Sequence, residues 1–317
     1  MREVLELELA GRRLLGTRHV PSGPGSRMGV LLLNAGFAPR DGHGGLSALA
    51  ADALAARGFP AYRVDLPGIG DSPGPLPARI LDFFELVASG GFADVTTQLV
   101  RELCLREGLD RLVLGGLCGG AITAIIVGAR EPARVCGLLL LEPEMYVTEP
   151  RTGAASKRRQ LRGLPGWLHD QVFNYWGWMR LLANEGPRSQ WIPFPRQTIL
   201  AFLRGRMDLP AVTNLPLVAA WRDLVLDARP SLVITAAGKM HEIFFDRING
   251  VALRGIDTRS VEHIRLKHTN HIFTTGGAIE AVLSHVLPWV ERLGARVHAA
   301  SAPDSDRARR QGPLPPA

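Results

Sequence analysis

Two rhythms alternate along this chain. Residues 3–9 and 13–20 alternate apolar and polar positions on either side of Ala10-Gly11, the pattern of an opening β-hairpin. Met28 to Leu33 is instead continuously apolar, as expected of a strand buried on both faces of a sheet. Helical spacing follows over Leu46 to Arg57, and a strand over Ala61 to Asp65. A turn-rich loop, Asp65-Leu-Pro-Gly-Ile-Gly-Asp-Ser72, comes next, and then an amphipathic helix over Ala93 to Glu107. Arg111 to Gly115 reads as a strand, the segment after it as a helix to about Arg130, and Val135 to Leu141 as another fully apolar strand. The alternation returns with a strand at Ser231 to Ala236, a helix at His241 to Ile248, a strand at Ser260 to Leu266 and a helix at Ala278 to Leu293. Repeated strand–helix units of this kind predict a mostly parallel sheet flanked by helices, with sites at the carboxyl ends of the strands.

Between these two blocks the rhythm fails. Residues 146–228 hold helical and proline-rich pieces without a core strand, and five of the six tryptophans, Trp167, Trp176, Trp178, Trp191 and Trp221, fall there. The expected organisation is therefore an α/β core formed by 1–145 and 229–298, a helical lid at 146–228, and a tail at 299–317 too rich in Pro, Ser, Asp and Arg to fold. Within the lid, Trp176 is a candidate for contact with substrate; packing onto the core accounts for most of the others.

The composition, 46% hydrophobic and 21% charged, is that of an ordinary globular protein. The net charge of +7 comes almost wholly from arginine and is spread out, apart from Lys157-Arg158-Arg159 and Arg307 to Arg310. No nucleic-acid-binding motif accompanies it, so a nucleic-acid partner is not expected. No apolar run approaches the ~20 residues of a membrane span, and the N-terminus lacks the apolar stretch of a signal peptide. Cys104, Cys118 and Cys136 are odd in number and lack metal-ligand spacing. They suit a reducing, cytoplasmic setting, and neither a metal nor a cofactor is expected.

The chemistry centres on Gly116-Leu-Cys118-Gly-Gly120. A strand that turns sharply into a helix strains the residue at its apex and requires small neighbours two positions away on each side. The helix N-terminus then faces the apex, favouring a thiolate and a developing oxyanion. A buried structural cysteine in a glycine turn is the alternative for this pentapeptide taken alone.

A strand with an oxyanion loop, then the Asp65-x-x-Gly-x-Gly-x-Ser72 loop, the elbow at 116–120, a lid insertion and a late histidine before the last helix make the chain resemble an α/β-hydrolase over roughly residues 3–293. Within that superfamily it is most similar to the exosortase A system-associated hydrolases. The shared features are Arg40 to Gly42, the Gly58-Phe-Pro-x-x-Arg-x-Asp65 strand and an aromatic lid segment at Tyr175 to Leu182. The glycine-cysteine box also resembles those of polyhydroxyalkanoate synthases and cysteine-type acyltransferases.

The resemblance implies roles for particular residues. Cys118 becomes the nucleophile and His271, in Asn270-His-Ile-Phe273, the general base. The backbone N–H groups of Phe37 and Gly119 would form the oxyanion hole. The acid departs from the pattern, because methionine stands at its usual place in Gly238-Lys-Met-His-Glu242. Glu142, at the end of the strand after the elbow, is the favoured substitute; Glu242 is a second, and a cysteine enzyme can also work with no acid. Asp65, Gly68, Gly70 and Ser72 read as structural, while Arg40 is a candidate for binding a substrate carboxylate or phosphate.

The expected activity is cleavage of an ester or thioester through an acyl-cysteine intermediate. The partner would be a small-molecule acyl substrate, carried on a thiol such as coenzyme A or a carrier protein. An acyltransferase or cyclase using the same residues is the first alternative, and a non-catalytic ligand-binding member of the fold is the second.

Overall fold

The computed structural model describes residues 1–146, 209 and 213–301. Eight strands form one sheet: β1 (Arg2–Leu9), β2 (Arg12–His19), β3 (Met28–Leu33), β4 (Ala61–Val64), β5 (Arg111–Leu117), β6 (Val135–Leu141), β7 (Ser231–Ala236) and β8 (Val261–Leu266). Their order is β1-β2-β4-β3-β5-β6-β7-β8. The hairpin β1–β2 and the β2–β4 pair are antiparallel, and every pair from β4 to β8 is parallel. The expected fold class, an α/β-hydrolase sheet flanked by helices, is what the chain adopts.

The helices among the described residues are α1 (Leu46–Ala56), α2 (Ile80–Ala88), α3 (Ala93–Arg106), α4 (Gly119–Arg130), α5 (Leu215–Leu226), α6 (Met240–Ala252) and α7 (Ala278–Ser301). Period-2 alternation in the central strands feeds two cores. Leu31, Leu33, Leu114, Leu138 and Leu140 point into the core under α2, α3, α4, α5 and α6. Val30, Leu32, Val113, Leu139 and Leu141 point into the other, under α1 and α7. Cys104 lies in the first core and Cys136 in the second, and burial pushes the Cys136 thiol up to about 12, so neither is a nucleophile at neutral pH.

Three details differ from the sequence reading. The elbow strand runs two residues further, to Leu117. A helix, α2, occupies Ile80–Ala88, just past the turn-rich loop. The last helix continues to Ser301, beyond the point where the tail was expected to begin. The remainder of that tail, and most of the segment 146–228 with Trp176 and Tyr175 to Leu182, lie outside the described residues. What is described at the end of that segment is α5, which packs on α4 and buries Trp221 fully, with the indole N–H donating to Asn249 at 2.9 Å. Tyr146 and Thr213 form an isolated antiparallel bridge. Asn214 secures the junction: its N–H donates to Met145 O at 2.9 Å and its side-chain amide to Ala88 O at 2.7 Å. No helix among the described residues is long and apolar enough to cross a membrane.

A polar network crosses the sheet beside β2 and β4. The Arg63 guanidinium, buried on β4, donates to His19 Nε2 at 2.9 Å and pairs with Asp41. His19 Nδ1 faces Asp52 Oδ1 at 2.8 Å, so the imidazole is neutral, donating to the aspartate and accepting from the arginine. Burial first, and Arg63 second, hold the His19 pKa below its ordinary value. Burial likewise depresses His241 and His263. Each depressed histidine resists protonation that the unfolded chain accepts, so stability is fully present above the unfolded value of about 6.5 and declines as pH falls below it. The urea midpoint should hold steady from pH 8 to 7 and drop between pH 6.5 and 5; a flat profile over that window would contradict the neutral assignment.

Candidate active site

The site stands at the carboxyl ends of β3, β5, β6 and β8, where successive crossovers leave a crevice. At the end of β5 the chain turns through Cys118, which takes φ 53° and ψ −109° and caps α4. A non-glycine residue in such a conformation is strained, and the surroundings hold it there. Cys118 N–H donates to Leu141 O at 2.9 Å, and its carbonyl accepts from Ile122 at 3.1 Å. The flanking glycines are required sterically: a Cβ on Gly116 would stand 2.5 Å from the carbonyl carbon of Gly120, and one on Gly120 would stand 2.8 Å from Asn34 O. The small positions two residues before and after the apex thus follow from backbone packing.

The loop after β3 is shaped by a buried amide. Asn34 donates to Asp65 Oδ1 at 2.9 Å and Ala38 O at 3.1 Å, and its carbonyl oxygen accepts from Leu66 N–H at 2.9 Å. Asp65, fully buried, also accepts the backbone N–H of Arg40 at 2.6 Å and that of Asp71 at 3.1 Å. Gly70 packs so closely on this carboxylate that a Cβ would meet it at 2.3 Å. Phe37, at the tip of the loop, stacks on Phe83 of α2 with ring centroids 3.7 Å apart. The loop backbone reaches the start of α4, where Gly36 N lies 3.5 Å from the point a Cβ on Gly119 would occupy. The Gly119 N–H is the first of its helix and has no intrahelical acceptor. Arg40 does not reach this crevice as a free cation. Its guanidinium lies against Asp65 and, at 2.7 Å, Asp71, with Thr17 Oγ1 3.2 Å from Nε.

His271 comes from the loop after β8. Phe273 anchors that loop from a fully buried position, and Asn270 braces it by accepting Thr274 N–H and donating to Thr274 Oγ1, both at 2.9 Å. His271 Nδ1 lies 3.4 Å from Glu142 Oε2, and Nε2 lies 4.0 Å from Glu144 Oε1. Glu142 is fully buried with φ 47°, its N–H donating to Ile234 O at 2.9 Å and its Oε1 accepting from Ala236 N–H. The sulfur of Cys118, a carboxylate oxygen of Glu144 and a ring nitrogen of His271 all lie within 4.8 Å of one another. The structure thus brings Cys118, His271 and Glu142 into one cluster. It does not bring Glu242 there: that carboxylate caps the start of α6, accepting Gly238 N–H at 2.5 Å, and pairs with Arg265 at 2.8 Å.

Three neighbours escaped the sequence reading. Glu144 lines the crevice two residues past Glu142. His241, the second residue of α6, stacks on His271 with centroids 4.1 Å apart and planes inclined by 23°. Its Nδ1 lies 3.6 Å from Glu144 Oε1 and 3.2 Å from the Tyr146 hydroxyl. Burial, aided by His271, holds His241 well below the ordinary histidine range. Burial also raises the Tyr146 phenol well above its usual value, with Glu144, Cys118 and Glu142 adding to it. The only signal in the chain was the pairing of two glutamates around Pro143, and nothing marked His241 as inward-facing.

The crevice holds about 430 Å³, including the open space at its mouth. Phe84, Val87, Ala88 and Ile122 make most of it apolar, while Cys118, Glu144 and Tyr146 supply its polar wall. Two groups could draw an ion: Cys118, Glu144 and His271, or Glu142, His241 and His271. The second is unsuited to sharing one, because the in-plane lone pairs of two stacked rings run nearly parallel and do not converge.

The fold recurs in solved structures. The chain is similar to GrgF, an alpha/beta hydrolase from a Penicillium species, at 17% identity, covering 93% of this chain and 99% of that one with a TM-score of 0.56. Haloalkane dehalogenase DbeA from Bradyrhizobium elkani aligns at 16% identity over 93% and 100% of the two chains, TM-score 0.55. Dienelactone hydrolase from Anabaena variabilis aligns at 14% over 92% and 97%, TM-score 0.51. At these identities the likeness concerns the fold. No curated protein sequence matches the chain. A sequence model described as the alpha/beta hydrolase family matches residues 30–306, most of the chain, and the protein belongs to that family.

Proposed function

We propose that this alpha/beta hydrolase cleaves an ester or thioester through an acyl-cysteine intermediate, with Cys118 as nucleophile, His271 as base and Glu142 as its orienting acid. The observation that carries this reading is the proximity of three groups. A strained elbow presents the Cys118 thiol, a ring nitrogen of His271 lies within 4.8 Å of it, and His271 Nδ1 faces a fully buried carboxylate at 3.4 Å.

In this reading His271 Nε2 takes the thiol proton while Glu142 holds Nδ1–H and fixes the tautomer. The thiolate attacks the carbonyl carbon, and the Gly119 and Phe37 N–H groups receive the oxyanion. The leaving group departs with the proton from His271. Water, deprotonated in turn by His271, then releases the acyl group. Sulfur at the apex favours thioesters, since exchange between a thioester and a thiol is nearly balanced in energy. The apolar wall of Phe84, Val87 and Ile122 suits an acyl chain or ring. An acyl-cysteine is also prone to aminolysis, so transfer to an amine acceptor is the second reading, favoured by the same apolar wall that limits water. A lid from the segment 146–228, three cysteines outside any disulfide in a reducing compartment, and membership of the exosortase A system-associated subfamily complete the proposal.

Intact-protein mass spectrometry after brief exposure to acyl-thioesters of graded chain length tests it. An adduct of acyl mass that maps to Cys118 is expected, and adding an amine or only water identifies the acceptor from the product. Turnover of thioesters with no dependence on Cys118 would reject the reading.

A further inference from the structure

One carboxylate in the crevice has no part in the mechanism above. Glu144 comes from the segment after β6, Cys118 from the elbow and His271 from the loop after β8, yet one donor atom of each falls within a 4.8 Å span. His271 Nε2 and Glu144 Oε1 are already 4.0 Å apart. Around a tetrahedral zinc ion with sulfur, nitrogen and oxygen ligands, neighbouring donors stand roughly 3.3–3.7 Å apart, so modest side-chain movement closes the set.

The surroundings match such a centre. A ligating imidazole needs its second nitrogen held by an acceptor, and Glu142 Oε2 faces His271 Nδ1 at 3.4 Å. That oxygen and that nitrogen are both deeply buried and make no hydrogen bond among the described residues. Each therefore gains a partner if the imidazole is drawn into a fixed orientation. The ligating carboxylate would be supported in turn by His241 Nδ1, 3.6 Å from Glu144 Oε1. The fourth position opens on the crevice, because Cys118 and Glu144 both form its wall. Thiolate and imidazole are soft and borderline donors that favour zinc over magnesium or calcium.

We propose that Cys118, His271 and Glu144 form a three-ligand site for Zn²⁺ whose occupancy shuts the nucleophile. Binding requires the Cys118 thiolate, so one proton is released from the thiol as the S–Zn bond forms. A sulfur bonded to zinc is unavailable to a carbonyl carbon, and the metal-bound and acylated states exclude one another. The site assumes nothing about the substrate.

The test uses reduced, full-length protein stripped with a chelator. Zn²⁺ from zinc sulfate should bind at one equivalent, protect Cys118 from iodoacetamide, and release it when chelator is restored. Co²⁺ in its place should give a thiolate-to-cobalt charge-transfer band that Cys118→Ser removes. Glu144→Gln should weaken Zn²⁺ binding tenfold or more, and Glu142→Gln about 10–100-fold through the second nitrogen of His271. Zinc that leaves Cys118 labelling unchanged, a cobalt spectrum without the charge-transfer band, or affinity unaltered in Glu144→Gln would each overturn the proposal. Cobalt is read on the unmodified chain, so the result stands even if a variant fails to fold.

Discussion

Replacing Cys118 with alanine should lower kcat/KM for an acyl-thioester by at least about 10⁴-fold, since removing the nucleophile of such a unit costs nearly as much as removing the whole unit. The substitution removes a half-buried sulfur and leaves the turn, its hydrogen bonds to Leu141 and Ile122, and the glycines at 116 and 120 in place. The fold should therefore persist, as a far-ultraviolet spectrum would check. Labelling discriminates further. Cys104 and Cys136 sit in the two cores, so iodoacetamide should modify the native protein at one position and the variant at none. Cys118→Ser should also be severely impaired, because a hydroxyl must lose its proton during attack whereas a thiol can lose it beforehand. A Cys118→Ala protein with full activity would remove the acyl-cysteine from consideration.

The second large effect concerns the acid. Glu142→Gln should reduce kcat by about 10²–10⁴-fold, the upper figure being what a lost orienting carboxylate costs a serine enzyme. The amide would still fill the pocket and could offer oxygen or nitrogen to His271 Nδ1, so KM should change far less than kcat. Glu242→Gln is the matched control. Its carboxylate pairs with Arg265 and caps α6, so the expected loss is about 1 kcal/mol of stability with little change in rate. The reverse pattern, an inactive Glu242→Gln and an active Glu142→Gln, would move the assignment to the helix.

How far this could be read from residues alone depended on how local the cause was. The central strands were legible because burial on both faces makes them uniformly apolar, as in Met28–Leu33 and Val135–Leu141. The elbow was legible for a similar reason at Gly116, which answers a contact with Gly120 four residues on, whereas Gly120 answers Asn34 on the loop after β3. The partners of Arg40 were not: its cation is met by acids 25 and 31 residues away, and an arginine beside an oxyanion loop looks like a ligand-binding group until those acids are placed. His241 illustrates the same limit. A Met-His-Glu run at a helix start gives no sign that the histidine turns inward against His271 while its neighbour Glu242 turns to Arg265. Helix α2 was hidden by the proline and glycine before it, although Phe83, Phe84 and Val87 then supply both the platform for Phe37 and part of the crevice.

The bridge between Tyr146 and Thr213 has a consequence for how such a protein can diversify. The two ends of the intervening chain are clamped side by side, so the entropy of closing that loop is met at the clamp and rises only slowly with loop length. Residues can be inserted, deleted or swapped there without altering the distance the sheet must span. Tyr146 belongs both to the clamp and to the wall of the crevice, which Cys118 also lines. A change of chain length between these two positions therefore carries a small entropic cost and leaves the register of the sheet beneath untouched.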